Sequence, residues 1–298
     1  MTRKILVTGA SSFIGRFLIN ALVEGPDKII ATYNQADDLP ENCEWRRLDL
    51  FKESEVKRLM QEIQPTHLIH LAWFVKHDAF WDGQENLDWL IASLKLLKSF
   101  AEHGGERFIG IGSCAEYSNS SRALNEFDSE CVPSSLYSAS KLSLFEILKN
   151  LSPVLGLEWA WCRLFNVVGP GEPKNKLISS AIRSFKINQV PELKTPQAIR
   201  DFIDVRDVAQ ALVLIALSRS QGPINIGTGK GTAISVVVDR VSHFLGIKPL
   251  DRKLRDREFS TSGKDFVVAD TKRLNVELGF TPNYTLSEMI KFQIEEIR

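Results

Sequence analysis

Short apolar runs alternate along the chain with longer segments whose apolar positions recur at helical spacing. Lys4-Ile-Leu-Val7 is the first run. From Phe13 to Val23, residues Phe13, Phe17, Leu18, Ala21 and Leu22 share one side of a helix, and Gly25-Pro26 stops it. Residues 28–33 predict a second strand. Residues 54–63 predict a helix capped by Ser54. After Pro65-Thr66, Leu68-Ile69-His70-Leu71-Ala72 predicts a buried strand. Helices follow over 85–101, closed by Gly104-Gly105, and over 136–151, with strands over 107–111 and 158–164. Short apolar strands separated by helices predict βαβ units: an α/β fold with a doubly wound parallel sheet covered on both faces.

The texture changes after Asn166. Residues 169–173 form a Gly/Pro-rich loop. Helices are predicted over 178–187, 205–217, 234–245 and 286–297, with a short strand and turn over 223–227. No repeat, low-complexity segment or linker interrupts the chain. The expected organisation is a dinucleotide-binding domain over 1–165, with 200–230 contributing, and a smaller, interleaved α/β substrate lobe over 166–298.

Composition narrows the classes. Of 298 residues, 37 are Lys or Arg and 37 are Asp or Glu, so the net charge is zero. That argues against a nucleic-acid partner, yet leaves room for local Lys/Arg contacts to a small phosphate ligand. Cys43, Cys114, Cys131 and Cys162 form no C-x-x-C pair and are expected as free thiols in a reducing cytoplasm. The polar start runs into a short strand, not a signal peptide, and no apolar run approaches ~18 residues. A soluble, cytoplasmic protein without a membrane partner is expected.

Candidate chemistry begins at Thr8-Gly9-Ala10-Ser11-Ser12-Phe13-Ile14-Gly15, which reads as strand, tight turn and helix start. Backbone N–H groups at such a helix start favour an anion. Gly9 permits the turn and Gly15 permits close helix packing, while Ser12 stands where a middle glycine would be. Ser113 falls after the strand Phe108-Ile109-Gly110-Ile111-Gly112. Ligands gather at such strand ends, although alone Ser113 reads as a cap or turn residue. Tyr137 and Lys141 are spaced i, i+4 at a helix start, so they share a face. A cation one turn from a phenol favours phenolate and suits it to acid/base work. His67 and His70 are three apart on a strand and face opposite sides, so no metal site is expected.

Jointly these motifs resemble the extended short-chain dehydrogenases/reductases, the NAD-dependent epimerase/dehydratase family, in its nucleotide-sugar branch. The resemblance rests on the opening loop, Asp49-Leu50, His70-Leu71-Ala72, Ser113 with Tyr137 and Lys141, and Arg163-Leu-Phe-Asn-Val-Val-Gly-Pro170. It continues through Arg200-Asp-Phe-Ile-Asp-Val-Arg-Asp-Val-Ala209, Asn225-Ile-Gly-Thr-Gly229, Ala269-Asp-Thr-Lys272 and Leu278-Gly-Phe-Thr-Pro282. It implies a Rossmann-type sheet and a catalytic set of Ser113, Tyr137 and Lys141. Tyr137 would exchange a proton with a sugar oxygen, Lys141 would hold the nicotinamide ribose and lower the Tyr137 pKa, and Ser113 would orient the sugar. The implied cofactor set is Gly9, Ser11, Ser12, Phe13, Ile14, Gly15, Asn34, Asp49, Leu50, Leu71, Ala72, Trp73, Lys141 and Phe165. Cys114, Asn166, Arg200 and Arg257 are the implied substrate contacts, with Asn166 and Arg200 on the nucleotide diphosphate.

The family's 4,6-dehydratases carry an Asp-Glu pair directly after the catalytic hydroxyl. Here Cys114 and Ala115 stand there, so dehydration is not expected. Relatives that epimerise beside a ketone carry a cysteine two positions after the serine. Cys114 is off that register and reads as a small buried residue. What remains is NAD(P)H-dependent reduction of a 4-keto group on a nucleotide-linked (deoxy)hexose, or 4-epimerisation with tightly bound NAD. A non-catalytic NAD(P) sensor is a third reading, which the intact Ser113, Tyr137 and Lys141 oppose. Thr32-Tyr33-Asn34-Gln35 has no acidic residue for a ribose 2′-hydroxyl, and Asp37 and Asp38 lie further on, so NADPH is favoured over NAD. Trp73, Phe80, Trp81 and Trp89 flank a loop carrying Lys76 and His77; they suit a sugar-pocket wall, core or dimer packing. The helices over 85–101 and 136–151 resemble the family's dimer-forming pair, so a homodimer is expected.

Overall fold

The computed structural model describes residues 2–35, 39–41, 43–76, 79–247 and 265–297. The chain divides into two compact units. The first comprises Met1–Tyr117, Glu130–Leu164 and Ala209–Ile224; the second comprises Ser118–Ser129, Phe165–Val208 and Asn225–Arg298.

The first unit is built on a seven-stranded sheet in the order β3-β2-β1-β4-β5-β6-β9. Its strands are β1 (Lys4–Thr8), β2 (Lys28–Tyr33), β3 (Glu44–Arg47), β4 (His67–His70), β5 (Arg107–Ser113), β6 (Glu158–Leu164) and β9 (Gly222–Ile226). Every neighbouring pair from β3 to β6 runs parallel. Leu6 stands opposite Ile30 and Leu68, and all three are fully buried. Uniformly apolar central strands follow from helices on the sheet faces: α1 (Phe13–Leu22), α2 (Glu53–Ile63), α3 (Glu85–Glu102) and α4 (Leu136–Leu155). The sheet order reverses between β1 and β4, so the loops leaving these strands diverge and open a crevice at their carboxyl ends.

Several expected boundaries move. Helix α2 starts at Glu53, and Ser54 lies inside its first turn instead of capping it; Glu53 and Glu55 there suit the helix dipole. Strand β4 ends at His70, so Leu71 and Ala72 belong to the exit loop, although the Leu71 N–H still bonds the Thr8 carbonyl. Helix α4 continues past Leu151 and through Pro153, and Gly156, at φ 67°, ends it. Strand β5 reaches Ser113 because Gly110 and Gly112 make room for the Trp161 indole, which a Cβ at either position would strike. The charged edge strand β3 lacks the apolar signal of the others.

The second unit carries a four-stranded sheet around β8 (Ile199–Asp204). β10 (Gly231–Ala233) pairs with it antiparallel; β7 (Asn166–Val168) and β11 (Phe266–Val267) pair with it parallel. Helices α5 (Leu177–Lys186), α7 (Ile234–Phe244) and α8 (Leu286–Glu296) pack Ile182, Val237 and Ile290 around Phe202. Helix α6 (Val205–Leu217) begins in this unit and continues in the first. Among the described residues, no helix is long and apolar enough to cross a membrane.

Candidate active site

The opening loop has the shape its residues predict. Gly9 sits at φ 71°, and a Cβ there would lie 2.6 Å from the Ala72 backbone nitrogen. Only glycine lets the β1 loop pass so close to the β4 exit. Gly15 packs against the Gly9 and Ala10 carbonyls, so the helix starts directly behind the loop. Ser12 caps α1, its hydroxyl oxygen accepting the Gly15 N–H at 3.2 Å. Ser12 is exposed, and a hydroxyl that accepts through one lone pair keeps its proton as a donor that an anion could take. Ser11, Phe13 and Ile14 are half-buried around it. Beneath, the buried Thr8 hydroxyl meets His70 Nδ1 at 2.6 Å, and His70 Nε2 meets Ser93 at 2.8 Å. Burial pushes the His70 pKa down to about 3, with the Lys141 charge adding to it, so His70 is a neutral strut. A pyrophosphate fits this cradle of small residues, close backbone and capped helix start. Among the described residues no group of His, Cys, Asp or Glu is arranged to hold a metal.

The other cofactor candidates are less uniform. Asn34 is exposed at the end of β2. Asp49 accepts the Phe51 N–H at 3.0 Å and opens the turn into α2, and Leu50 is buried beside it. Trp73 is buried, with its indole N–H on Asn86 Oδ1 at 2.9 Å. Trp89 packs edge-on against Phe51 with centroids 5.0 Å apart.

Ser113, Tyr137 and Lys141 come together at the carboxyl end of β5. The Ser113 hydroxyl hydrogen-bonds the Tyr137 phenol and also caps the 3-10 turn Cys114–Glu116 by accepting the Ala115 N–H at 3.1 Å. It is therefore both the strand-end hydroxyl and the cap residue that its sequence suggests. The Tyr137 N–H bonds the Trp81 carbonyl at 2.8 Å. The rings of Phe80 and Trp81 stand edge-on to the phenol, at 5.1 and 5.7 Å. Lys141 is 3% exposed; Nζ donates to the Ile111 carbonyl at 2.8 Å and lies 3.7 Å from the Trp73 ring centroid. Burial lowers its pKa to about 7 against the pull of Glu116. The expectation of a lowered Tyr137 pKa does not hold here. Burial raises the phenol, the Ser113 hydrogen bond only partly offsets it, and the Lys141 ammonium is engaged by Ile111 and Trp73.

Sequence reasoning missed the support behind Ser113. Glu116 and Arg163 form an ion pair at 2.8 Å with side chains 0% and 1% exposed. The same carboxylate accepts the Ser113 N–H at 2.8 Å and the Trp161 indole N–H at 3.1 Å. Burial works against the Arg163 charge and Glu116 overcomes it, so the guanidinium is held more firmly protonated. The signal was available: Ser113-x-x-Glu116 has capping-box spacing, and the box is formed. Cys114, expected as a small buried residue, is half-buried in the 3-10 turn.

In the second unit, Asn166 donates to the Asp201 carbonyl at 2.9 Å, joining β7 to β8, and Phe165 is buried next to it. Arg200 is half-buried and donates to the Ile199 carbonyl at 2.9 Å. Asp201, fully buried, accepts the Thr228 N–H, the Gly229 N–H and the Ala269 N–H at 2.9, 2.9 and 3.2 Å. It thereby ties the Gly-Thr-Gly turn and the segment at Ala269 to β8. Arg257, Asp37, Asp38 and His77 lie outside the described residues.

Residues 5–227 match the NAD dependent epimerase/dehydratase family. The chain belongs to this family. A putative UDP-glucose 4-epimerase of Methanocaldococcus jannaschii is 28% identical over 96% of both chains. A dTDP-4-dehydro-6-deoxyglucose reductase of Escherichia coli is 24% identical over 99% of this chain and 97% of its own. Among solved structures, the Thermus thermophilus UDP-glucose 4-epimerase in complex with NAD superposes with a TM-score of 0.85 at 24% identity, covering 99% of this chain and 98% of that one. That likeness shows the fold. Membership makes the chain an enzyme of the NAD-dependent nucleotide-sugar class, and the Rossmann-type sheet is the family's.

Proposed function

We propose that this family member reduces a 4-keto group on a nucleotide-linked (deoxy)hexose. The observation that carries the reading is the fate of Glu116. It is the acidic residue closest in sequence to Ser113, and it is sealed in the ion pair with Arg163. No carboxylate from the Ser113–Tyr117 turn is then free for the extra acid/base steps of a dehydration. Ser113, Tyr137 and Lys141 are left to serve a simple exchange of hydride and proton at one carbon. When bound, the nicotinamide supplies the hydride. Ser113 Oγ orients the sugar oxygen, and Tyr137 Oη gives it the proton. The raised phenol pKa keeps Tyr137 protonated at neutral pH, as an acid in the reductive direction needs to be. Lys141 would hold the ribose, the Gly9–Gly15 loop the pyrophosphate, and Asn166 with Arg200 the substrate diphosphate. NADPH is the preferred donor in this reading. Asn34 and Gln35, not an acid, stand directly after β2, and the register places exposed Arg47 of β3 beside Tyr33 at the same edge, where a 2′-phosphate would lie.

A 4-epimerase is the second reading, favoured by the number of UDP-glucose 4-epimerases among the similar proteins. The two separate on one preparation. A reductase is purified free of cofactor and oxidises NADPH only when a dTDP- or UDP-4-keto-6-deoxyhexose is added. Recovery of stoichiometric bound NAD, with interconversion of UDP-glucose and UDP-galactose, would reject the reductase. We further propose a homodimer through α3 and α4, whose Leu87, Ile91 and Ile147 are exposed.

A further inference from the structure

The two catalytic side chains of α4 are both wired to one buried amide. Asn86, fully buried at the start of α3, accepts the Trp73 indole N–H at 2.9 Å. Its own amide donates to the Phe80 carbonyl at 2.6 Å and the Gly83 carbonyl at 2.9 Å. The Trp73 face then meets Lys141 Nζ at 3.7 Å. The turn held by Asn86 presents the Trp81 carbonyl to the Tyr137 N–H at 2.8 Å, and the Phe80 and Trp81 rings to the phenol. We propose that Trp73 and Asn86 are positioning residues for this catalytic pair. In this arrangement the indole face holds the Lys141 ammonium, while the amide locks both the indole and the turn that braces Tyr137.

Physical chemistry gives each part a task. A buried ammonium needs partners, and among the described residues Lys141 Nζ meets the Ile111 carbonyl and the Trp73 face. The negative ring face favours the charged lysine where burial opposes it. The other titratable groups around Lys141 are Glu116 after β5, which favours its charge, His70 of β4, which is neutral, and the Tyr137 phenol on its own helix. An aliphatic side chain at position 73 would fill space without favouring the cation. Asn86 matters because a tryptophan held only by packing can rotate, whereas one held at Nε1 presents a fixed face.

The inference rests on Lys141 acting at the cofactor, so the test reads cofactor binding. NAD and NADPH affinities of the full chain are measured by calorimetry between pH 5.5 and 9 for the wild type, Trp73→Phe, Trp73→Met and Asn86→Ala. In the wild type, affinity falls as pH rises and Lys141 loses its proton. Trp73→Met should move that fall to lower pH by about one unit, while Trp73→Phe keeps it in place. Asn86→Ala should move it in the same direction as Met and also lower turnover. Should the Met variant not fold, incorporation of 5-fluorotryptophan weakens the ring face at constant shape. It should shift the wild-type profile down in pH and leave Trp73→Phe unmoved. Equal profiles for Phe and Met, or no fluorotryptophan shift, overturn the inference alone. A wild type that binds neither cofactor overturns the cofactor reading together with it.

Discussion

Replacing Glu116 with Gln tests the support beneath Ser113. Three N–H groups converge on this carboxylate: Ser113 N at 2.8 Å, Arg163 Nε at 2.8 Å and Trp161 Nε1 at 3.1 Å. Glutamine keeps the volume but offers a single acceptor oxygen, and its amide protons would face donors. Arg163, 1% exposed, would remain charged without its counterion. Its partial shelter between the Tyr117 and Phe145 rings, at 4.7 and 4.8 Å, does not replace a charge. Breaking a buried pair from one side costs about 3–5 kcal/mol, more than two orders of magnitude in the folding equilibrium. Urea denaturation followed by circular dichroism measures it, beside turnover and cofactor affinity. We expect that loss of stability, with turnover falling further than affinity because Ser113 loses its backbone anchor. Arg163→Met alone should also destabilise. The double variant Glu116→Leu/Arg163→Met should recover much of the loss, since it leaves no orphaned charge. A cost below about 1 kcal/mol for Glu116→Gln, or additive single and double variants, would refute the reasoning.

Three other outcomes follow from separate parts of the structure. Gly9→Val places a β-branched residue at φ 71° against the Ala72 backbone; cofactor binding by calorimetry should be lost, and wild-type affinity would count against the loop. Lys141 has a folded pKa of about 7, below its usual value, so the unfolded chain binds more protons between about pH 7 and 10.5 and stability should rise with pH across that window. Lys141→Met should flatten that slope, raise the thermal midpoint at pH 6.5 and abolish turnover; an unchanged midpoint and slope would contradict the burial cost. Ile91→Glu on α3, where Ile91 is 45% exposed, should convert a sedimenting dimer to monomer without loss of helicity; an unaltered sedimentation coefficient would place the interface elsewhere.

The parts of the fold legible from sequence are those where one physical signal dominates. The central strands are apolar because helices cover both faces, and Ser113, Tyr137 and Lys141 sit where the strand end and helix spacing put them. The edge strand β3, with sequence Glu-Trp-Arg-Arg, pairs on one side and faces solvent, so it carries no apolar run. β8 hides because its Arg200, Asp201 and Asp204 are polar, and its buried acids are satisfied by backbone and side-chain donors from residues near and far in the chain. The glycines of β5 misled the strand boundary because their reason is Trp161, about fifty residues on. The Ser113-x-x-Glu116 spacing is local and legible, but Arg163 is 47 residues from Glu116 and joins it only once β5 and β6 come side by side. Lys141 shows the limit of local spacing. Its distance from Tyr137 along the helix is fixed by the sequence, but burial raises the phenol pKa, and the Lys141 ammonium meets the Ile111 carbonyl and a tryptophan on another strand's exit loop.

The central claim, a net reduction at the sugar, meets its most direct test in stoichiometry. Purified protein, NADPH and a limiting dTDP-4-keto-6-deoxyhexose are followed at the absorbance of the reduced cofactor while the sugar product is resolved by chromatography. The account predicts one NADPH oxidised for each 4-keto sugar converted to its 4-hydroxy form, and neither change with Tyr137→Phe. Sugar interconversion with no net oxidation of NADPH would contradict it.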